Sequence, residues 1–356
     1  MDPSNAHDRR VSVDAPYTMK PQDKDKKQLK PTVKSYRNSS FLNGPSARII
    51  RILCEFQEPA ERLNQHRVKG TVLFFGSARA MRLEDFKATL AEHQAKLAAC
   101  VATNDREMLE ERLAGFLRCE WMCEWVDVAE TLAAKISLWA MDNHGLRRVM
   151  SQIPDYLSLD DAQPPVQGTD DSSPGPVTQS LVVTTGGGPG LMEAANRGAA
   201  SVGAKTMGMG ISLPFEKGLN PYVSDGLEFE FHYFFTRKFW MMYSARALII
   251  APGGFGTMDE MFELMTLRQT KKVPDLPIVL LCSRYWKTVV NWQAMADFGT
   301  VSQREVDSLF FADSADEAFE YIRAWFERKD GAEAVPVSPQ KPPVFGESPS
   351  KDIVKM

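Results

Sequence analysis

The chain has 356 residues, a formal net charge of -4 and a pI of about 5.9. Apolar residues make up 44% of it and charged residues 25%, so it can bury a sizeable core. The slightly acidic balance excludes a global attraction for nucleic acid, and no apolar run is long enough to cross a membrane. A local site for a small phosphorylated ligand stays open.

Five cysteines, an odd number, are spread along the chain and predict packed thiols in a reducing compartment. Cys119 and Cys123 lie one helical turn apart. No second Cys or His pair follows at ligand spacing, so no metal site is predicted. The N-terminus lacks the apolar core of a secretion signal, and the expected location is therefore the cytoplasm.

Polar segments predict the domain organisation. Residues 1–45 and 330–356 are rich in Lys, Asp, Ser and Pro and predict disordered tails, because they cannot repay the entropy of ordering. Residues 160–179 have the same character and predict a flexible insertion. One α/β domain is expected between the tails, over residues 46–329.

Within that domain, short apolar runs that end in Gly, Pro or Ser alternate with helical stretches. This alternation predicts a Rossmann-like, doubly wound parallel sheet with helices on both faces. The predicted strands are Thr71–Phe75, Leu181–Thr185, Lys205–Ile211, Ala247–Ala251 and Pro277–Leu281. The predicted helices are Gly190–Ala200, Thr236–Arg246, Met258–Gln269 and Ala315–Arg328.

Residues 83–150 predict a helical elaboration of two or more helices, interrupted near Asn104. This stretch exceeds a single crossover, so part of it is expected to form a lobe or a subunit contact. Its aromatic stripe, which includes Trp121 and Trp125, is interpreted as core.

Glycine-rich turns follow three of the strands: Gly76–Arg79, Gly186–Gly190 and Pro252–Thr257. Ligands of open α/β sheets bind beyond the carboxyl ends of the strands, where glycine lets the backbone approach and helix N-termini supply N–H donors. These turns therefore predict a phosphate site. Leu191 stands where a dinucleotide fingerprint needs its last glycine, and no turn ends in Gly-Lys-Ser/Thr, so a dehydrogenase and a triphosphatase are disfavoured.

The motifs GGGPGLMEAANRGA, HYFFTRKFW and PGGFGTMDE together resemble the Lonely Guy (LOG) family of nucleoside 5′-monophosphate phosphoribohydrolases. That family includes cytokinin-activating enzymes and bacterial nucleotide nucleosidases, and many members carry the misleading label "lysine decarboxylase". The resemblance spans roughly residues 71–326. Phe235-Thr236 replace the Met-His that usually precedes the Arg-Lys pair in small plant-type members, which puts cytokinin preference in doubt more than the reaction.

The resemblance implies that Glu260 and Arg237 are essential for catalysis. It also implies a phosphate site at the two glycine turns, formed by Gly187, Gly188, Gly253, Gly254, Gly256 and Thr257.

Glu260 is expected to stabilise positive charge on the ribose ring and to orient or deprotonate water. We expect it in the first turn of a helix, where the helix dipole favours its ionised form. Thr257 to Glu260 also fit a capping box, in which the carboxylate only satisfies a backbone N–H, and both roles can coexist. Arg237 is expected to pair with Glu260 or to hold phosphate.

The remaining candidates for substrate or phosphate binding each have an ordinary structural alternative. Glu263 is a second carboxylate for ribose hydroxyls or a solvated or packed residue, and Asn196 reaches a hydroxyl or packs against the sheet. His232 is interpreted as structural. Other candidates in this group are Ser77, Arg79, Glu193 and Lys238.

Three functions follow from these observations. The first is hydrolysis of a nucleoside monophosphate to free base and ribose 5-phosphate, without a cofactor. The second is non-catalytic nucleotide sensing on the same turns. The third is pyridoxal phosphate-dependent decarboxylation, which is disfavoured because only Lys238 lies near the motifs and no partner for the pyridinium nitrogen is evident. A homodimer or higher homo-oligomer is implied by the resemblance alone.

Overall fold

The computed structural model describes residues 32–100, 103–143, 146, 150, 153, 156, 179–213 and 218–331. The chain divides into two compact units, Met1–Ile50 and Arg51–Met356. Most of the predicted insertion and almost all of the predicted C-terminal tail lie outside the described residues.

The first unit contains short helical turns within the stretch predicted to be a disordered tail. The side chain of Asn38 accepts a hydrogen bond from the Phe41 N–H (3.1 Å) and so caps the helix α1. Such local capping satisfies a backbone N–H that the short helix itself leaves without a partner. These turns are Ser35–Arg37, α1 (Ser39–Asn43) and Pro45–Ala47.

Seven strands form one parallel sheet in the order β4-β3-β2-β1-β5-β6-β7, which confirms the predicted fold class. β4 and β7 were not among the predicted strands. Both lie at the edges of the sheet, and they are only four and three residues long, so neither has the continuous apolar run of a central strand. The strands are β1 (Gly70–Phe75), β2 (Leu181–Thr185), β3 (Thr206–Ile211), β4 (Glu228–Phe231), β5 (Ala245–Ile250), β6 (Ile278–Leu281) and β7 (Phe310–Ala312).

Helices cover both faces of this sheet. In chain order after α1 they are α2 (Arg48–Gln65), α3 (Leu83–Ala99), α4 (Thr103–Leu117), α5 (Cys123–Asp142), α6 (Leu191–Ser201), α7 (Phe234–Ser244), α8 (Phe255–Gln269), α9 (Ser283–Val289), α10 (Trp292–Asp297), α11 (Gln303–Asp307) and α12 (Ala315–Gly331). Among the described residues, none of these helices combines the length and the apolar character that a bilayer crossing requires.

Two apolar cores lie on opposite faces of the sheet, because successive side chains of a strand point to opposite sides. Val72 and Phe74 of β1 join the core that contains α5, α6 and α12. Leu73 and Phe75 join the core that contains Trp240 of α7 and residues of α2 and α8. The central strands are thus buried on both faces, as their continuous apolar runs predict.

The helical elaboration contributes α5 directly to the sheet layer. α5 packs so closely on α6 that a Cβ at Gly198 would lie 2.0 Å from the Glu130 carbonyl oxygen. The Glu130 carboxylate also accepts a hydrogen bond from Arg197 Nε at 2.9 Å. Burial would raise the pKa of Glu130, but Arg197 and Arg82 outweigh it and lower that pKa. Part of the elaboration therefore belongs to the main core, while Phe86 of α3 stacks on α4.

Candidate active site

Three turns meet at the carboxyl edge of the sheet, where the strand order reverses on either side of β1. The backbone N–H of Ser77, after β1, donates to the carbonyl of Pro252, after β5, at 2.9 Å. The N–H of Leu191 at the start of α6 donates to the Ser77 carbonyl at 3.1 Å. The turns that the sequence singles out are therefore joined into one structural unit.

Polar side chains form hydrogen bonds to the backbone of the turn after β2. The Gly187 N–H donates to Thr185 Oγ1 at 2.8 Å, and Gly187 has a φ of 74°, a conformation that favours glycine. Asn220 Nδ2 donates to the carbonyls of Gly187 and Gly188, each at 3.2 Å. Both carbonyls are thus directed toward Asn220. A crevice beside the turn is lined by the Gly186–Gly188 backbone and by Gly210.

Asn196 is fully buried behind this turn. Its Oδ1 accepts from Thr185 Oγ1 at 2.6 Å and from Asn220 Nδ2 at 2.9 Å, and its Nδ2 donates to Thr206 Oγ1 at 2.5 Å. This placement agrees with the alternative of packing against the sheet. Asn196 ties β2, β3 and the glycine turn together.

The turn after β5 leads into α8 earlier than the sequence predicts. α8 begins at Phe255 with Gly254 as its N-cap, so Thr257 is its third residue and Glu260 its sixth. The capping box and the first-turn position of Glu260 are therefore both wrong. The reason is that Gly254 adopts the extended capping conformation itself, with no side chain needed.

Arg237 occupies the space between the two glycine turns. Its Nε donates to the Met209 carbonyl of β3 at 2.8 Å, and its Nη1 lies 3.5 Å from Glu260 Oε1. A Cβ at Gly186 would lie 2.7 Å from Arg237 Nη2, so a side chain there would displace the guanidinium from its present position. The predicted pairing of Arg237 with Glu260 is thus present in the structure.

Glu260 is nearly excluded from solvent, with 6% of its surface exposed. Burial raises the pKa of its carboxyl group above the ordinary value, and the positive charges of Arg237 and Lys238 oppose this shift. A carboxylate that is desolvated yet paired with a cation is typical of residues with acid or base roles.

Lys238 points to a different set of partners. Its Nζ lies 2.6 Å from Asp259 Oδ2 and 2.8 Å from Glu263 Oε2, linking α7 to α8. Burial would lower the pKa of Lys238, but these two carboxylates outweigh it and raise that pKa. A Schiff-base lysine must lose its proton, so this ammonium group does not fit the pyridoxal phosphate chemistry of a decarboxylase. Lys238 and Glu263, both predicted to bind substrate, form an ion pair with each other.

The remaining predicted residues lie around the turns. Ser77 Oγ accepts from the Arg79 N–H at 3.1 Å, and Arg79 is exposed. Glu193 pairs with Arg197 at 3.1 Å. The backbone N–H of His232 donates to Glu55 at 2.8 Å, and its ring is exposed. Among the described residues, no group of three or more Asp, Glu, His or Cys side chains is placed to hold a metal ion.

Sequence reasoning missed two residues that contact the turns, Asn220 and Tyr285. Asn220 supports the Gly187 turn, and the Tyr285 hydroxyl donates to the Gly253 carbonyl at 2.7 Å. Both lie outside the motifs and act on backbone carbonyls across distant parts of the chain. No local pattern signals such a contact.

The parallel sheet and its three joined turns define a Rossmann-like α/β protein with a site at the carboxyl edge of the sheet. Residues 192–322 match the family model described as "Possible lysine decarboxylase". This match covers less than half of the chain and agrees with the resemblance to the Lonely Guy family that the sequence motifs carry. No curated protein matches the sequence.

Two solved structures are similar to this chain at low sequence identity. The molybdenum cofactor binding protein from the phototrophic bacterium Rippkaea orientalis is 18% identical, with a TM-score of 0.35, over 56% of this chain and 87% of that chain. The Moco carrier protein from Chlamydomonas reinhardtii is 20% identical, with a TM-score of 0.29, over 42% of this chain and 80% of that chain.

Proposed function

We propose that this protein binds a nucleoside 5′-monophosphate and hydrolyses its N-glycosidic bond, giving free base and ribose 5-phosphate. The observation that carries the proposal is the buried ion pair of Arg237 and Glu260 beside the glycine turns. The family label alone does not decide the reaction, because it describes a decarboxylation that Lys238 does not fit.

The evidence for the proposed phosphate subsite is the presence of two glycines that the fold does not require. A Cβ at Gly254 or at Gly256 would meet no atom within 4 Å, and neither residue has a positive φ. Larger side chains would therefore be tolerated by the protein itself. Glycine at these positions leaves the N-terminal N–H groups of α8 open to an anion, which the helix dipole also favours.

The chemistry assigned to Glu260 follows from its charge and surroundings. As the C1′–N bond breaks, positive charge develops on the ribose, and a nearby carboxylate stabilises it. Glu260 then takes a proton from the water whose oxygen forms the new bond to C1′, and the departing base takes a proton from solvent as the C1′–N bond breaks. Glu260 afterwards returns its proton to solvent. Arg237 favours the ionised form of Glu260, against the effect of burial, and orients its carboxylate.

The test is a panel of AMP, GMP, CMP and UMP incubated with wild type and with Glu260→Gln, with free base measured by chromatography. Wild type should release base, and the variant should lose roughly 1000-fold or more of the rate. Glu92→Gln, on the exposed side of α3, is the matched control and should behave as wild type. Release of free base by Glu260→Gln at the wild-type rate would contradict the catalytic role of Glu260.

The alternative is a nucleotide sensor that uses the same turns. It predicts micromolar binding of a monophosphate that Glu260→Gln leaves unaffected, with no base released by either protein. Calorimetric titration beside the activity panel separates the two functions.

Cellular location and assembly belong to the same proposal. We propose, from the charge balance and the N-terminal sequence, a cytoplasmic protein that binds a small molecule and no nucleic acid. The family resemblance implies a homodimer or larger homo-oligomer. Light scattering of the purified chain gives its mass in solution, and a monomeric mass would contradict the assembly.

A further inference from the structure

The hydroxyl group of Tyr285 holds the backbone of the turn after β5. Tyr285 lies on α9, which follows the neighbouring strand β6, and its hydroxyl donates to the Gly253 carbonyl at 2.7 Å. Neither the glycine motifs nor the Arg237–Glu260 pair accounts for this contact. Tyr285 lies outside the three motifs that carry the family resemblance, and its hydroxyl contacts the turn of the proposed phosphate subsite.

Aromatic packing fixes the position of the Tyr285 ring. The ring stacks on Trp121, with centroids 5.5 Å apart and planes 25° apart, and it meets the edge of Trp286 at 5.0 Å. Trp286 is fully buried, and its indole N–H donates to the Ile250 carbonyl at the end of β5. Burial raises the pKa of Tyr285, so its hydroxyl stays a proton donor at neutral pH.

The hydrogen bond decides which way the Gly253–Gly254 peptide faces. In a planar trans peptide the N–H points opposite to the C=O, so a carbonyl turned toward Tyr285 turns the Gly254 N–H away from it. Within the described part of the chain, no acceptor is found for that N–H. The first bond of α8 runs from the Met258 N–H to the Gly254 carbonyl at 3.0 Å.

A peptide between two glycines is the kind most easily flipped, because neither residue has a Cβ that restricts the rotation. A flipped peptide would present the Gly253 carbonyl oxygen in place of an N–H donor, and an oxygen repels an anion. Loss of the Tyr285 contact would therefore remove one donor from the turn and add an acceptor.

We propose that Tyr285, supported by Trp121, is a positioning residue that keeps the Gly254 N–H directed toward a bound phosphate. The inference rests on the proposed function only for the identity of the ligand. It assigns to the helical elaboration, which supplies Trp121, a part in shaping the site.

The test is Tyr285→Phe, which keeps the aromatic stack and removes only the hydroxyl. Affinity for AMP and for ribose 5-phosphate should fall roughly 5- to 10-fold, the effect of one hydrogen bond. KM should rise by a similar factor while kcat changes little. Adenosine, which lacks the phosphate, should bind both proteins equally.

Tyr243→Phe is the matched control, because Tyr243 is exposed on α7 and should affect none of these values. Equal AMP affinity in Tyr285→Phe and wild type would overturn the inference and leave the proposed reaction standing. An equal loss of affinity for adenosine and for AMP would also overturn the inference, because it would indicate a general distortion of the site. Wild type that binds AMP without cleaving it would overturn the reaction alone, and wild type that binds no phosphate compound would overturn both.

Discussion

Arg237 and Glu260 form an ion pair in which Nη1 lies 3.5 Å from Oε1, and at most 9% of either residue is exposed. Arg237 Nε is held at the same time by the Met209 carbonyl of β3. A buried pair of this kind is costly to break on one side, because the remaining charge loses its partner. The pair lies beside the Gly186 turn, next to the proposed phosphate subsite.

Replacing Arg237 with Lys should show that the shape of the cation matters. Lysine keeps the charge but cannot bond the Met209 carbonyl and reach Glu260 with one planar group. We expect kcat/KM for a monophosphate to fall roughly 100-fold, measured by steady-state kinetics. Arg268→Lys, in the last turn of α8 where the guanidinium bonds Ser308 Oγ, is the control. Activity near that of wild type in Arg237→Lys would contradict the role of the guanidinium.

The rate of cleavage should depend on the ionisation of Glu260. Burial raises the pKa of this carboxyl above its ordinary value of 4.5, and the reaction needs the ionised form. The rate should therefore fall as pH decreases through the raised pKa, so that kcat/KM has an acidic limb above pH 4.5. A profile that is flat down to that pH would exclude Glu260 as the group responsible.

The same pKa shift has a consequence for stability. Because the folded pKa of Glu260 is raised, folding favours the protonated form, and this contribution is fully present below pH 4.5 and is lost as pH rises through the folded pKa. Glu260→Gln, which stays neutral, should therefore gain stability relative to wild type over that pH range. Melting temperatures measured across the range check this. A variant that becomes less stable relative to wild type as pH rises would contradict the direction of the shift.

Alanine at three glycines should separate folding from ligand binding. At Gly256 a Cβ meets no protein atom, so Gly256→Ala should raise the free energy of unfolding by roughly 0.5–1 kcal/mol and still weaken AMP binding about tenfold. Gly254→Ala should weaken binding similarly. At Gly253 a Cβ would lie 2.2 Å from Thr257 Oγ1, so Gly253→Ala should lose roughly 1–3 kcal/mol of stability. Unaltered AMP affinity in the first two variants would argue against a phosphate at this turn.

Asn196 should matter for stability because both the oxygen and the nitrogen of its side-chain amide form hydrogen bonds within the protein. Asn196→Leu would leave the buried hydroxyls of Thr185 and Thr206 and the partly buried amide of Asn220 without this partner. We expect a loss of roughly 2–4 kcal/mol in denaturant unfolding. Asn291→Leu, which removes only a cap at the surface of the protein, should lose about 1 kcal/mol. Similar losses in the two variants would show that the network behind the turn adds little.

Much of the fold could be predicted from local patterns. The central strands are apolar throughout because both of their faces are buried, and their glycine turns mark the carboxyl edge of the sheet. Edge strands such as β4 alternate charged and apolar residues over only four positions, so they are easily missed. The predicted capping box is wrong because Gly254, rather than Thr257, is the N-cap of α8.

The sequence by itself determined five of the seven strands and the three turns, since each of these depends on neighbours within a few positions. The importance of Arg237 and Glu260 was implied by the family resemblance. Only the tertiary structure decided how the side chains are used. Lys238 and Glu263 pair with each other, Asn196 lies behind its turn, and Tyr285 bonds a carbonyl 32 residues away in the chain. Such contacts depend on which elements pack together, and the order of strands in the sheet sets that packing.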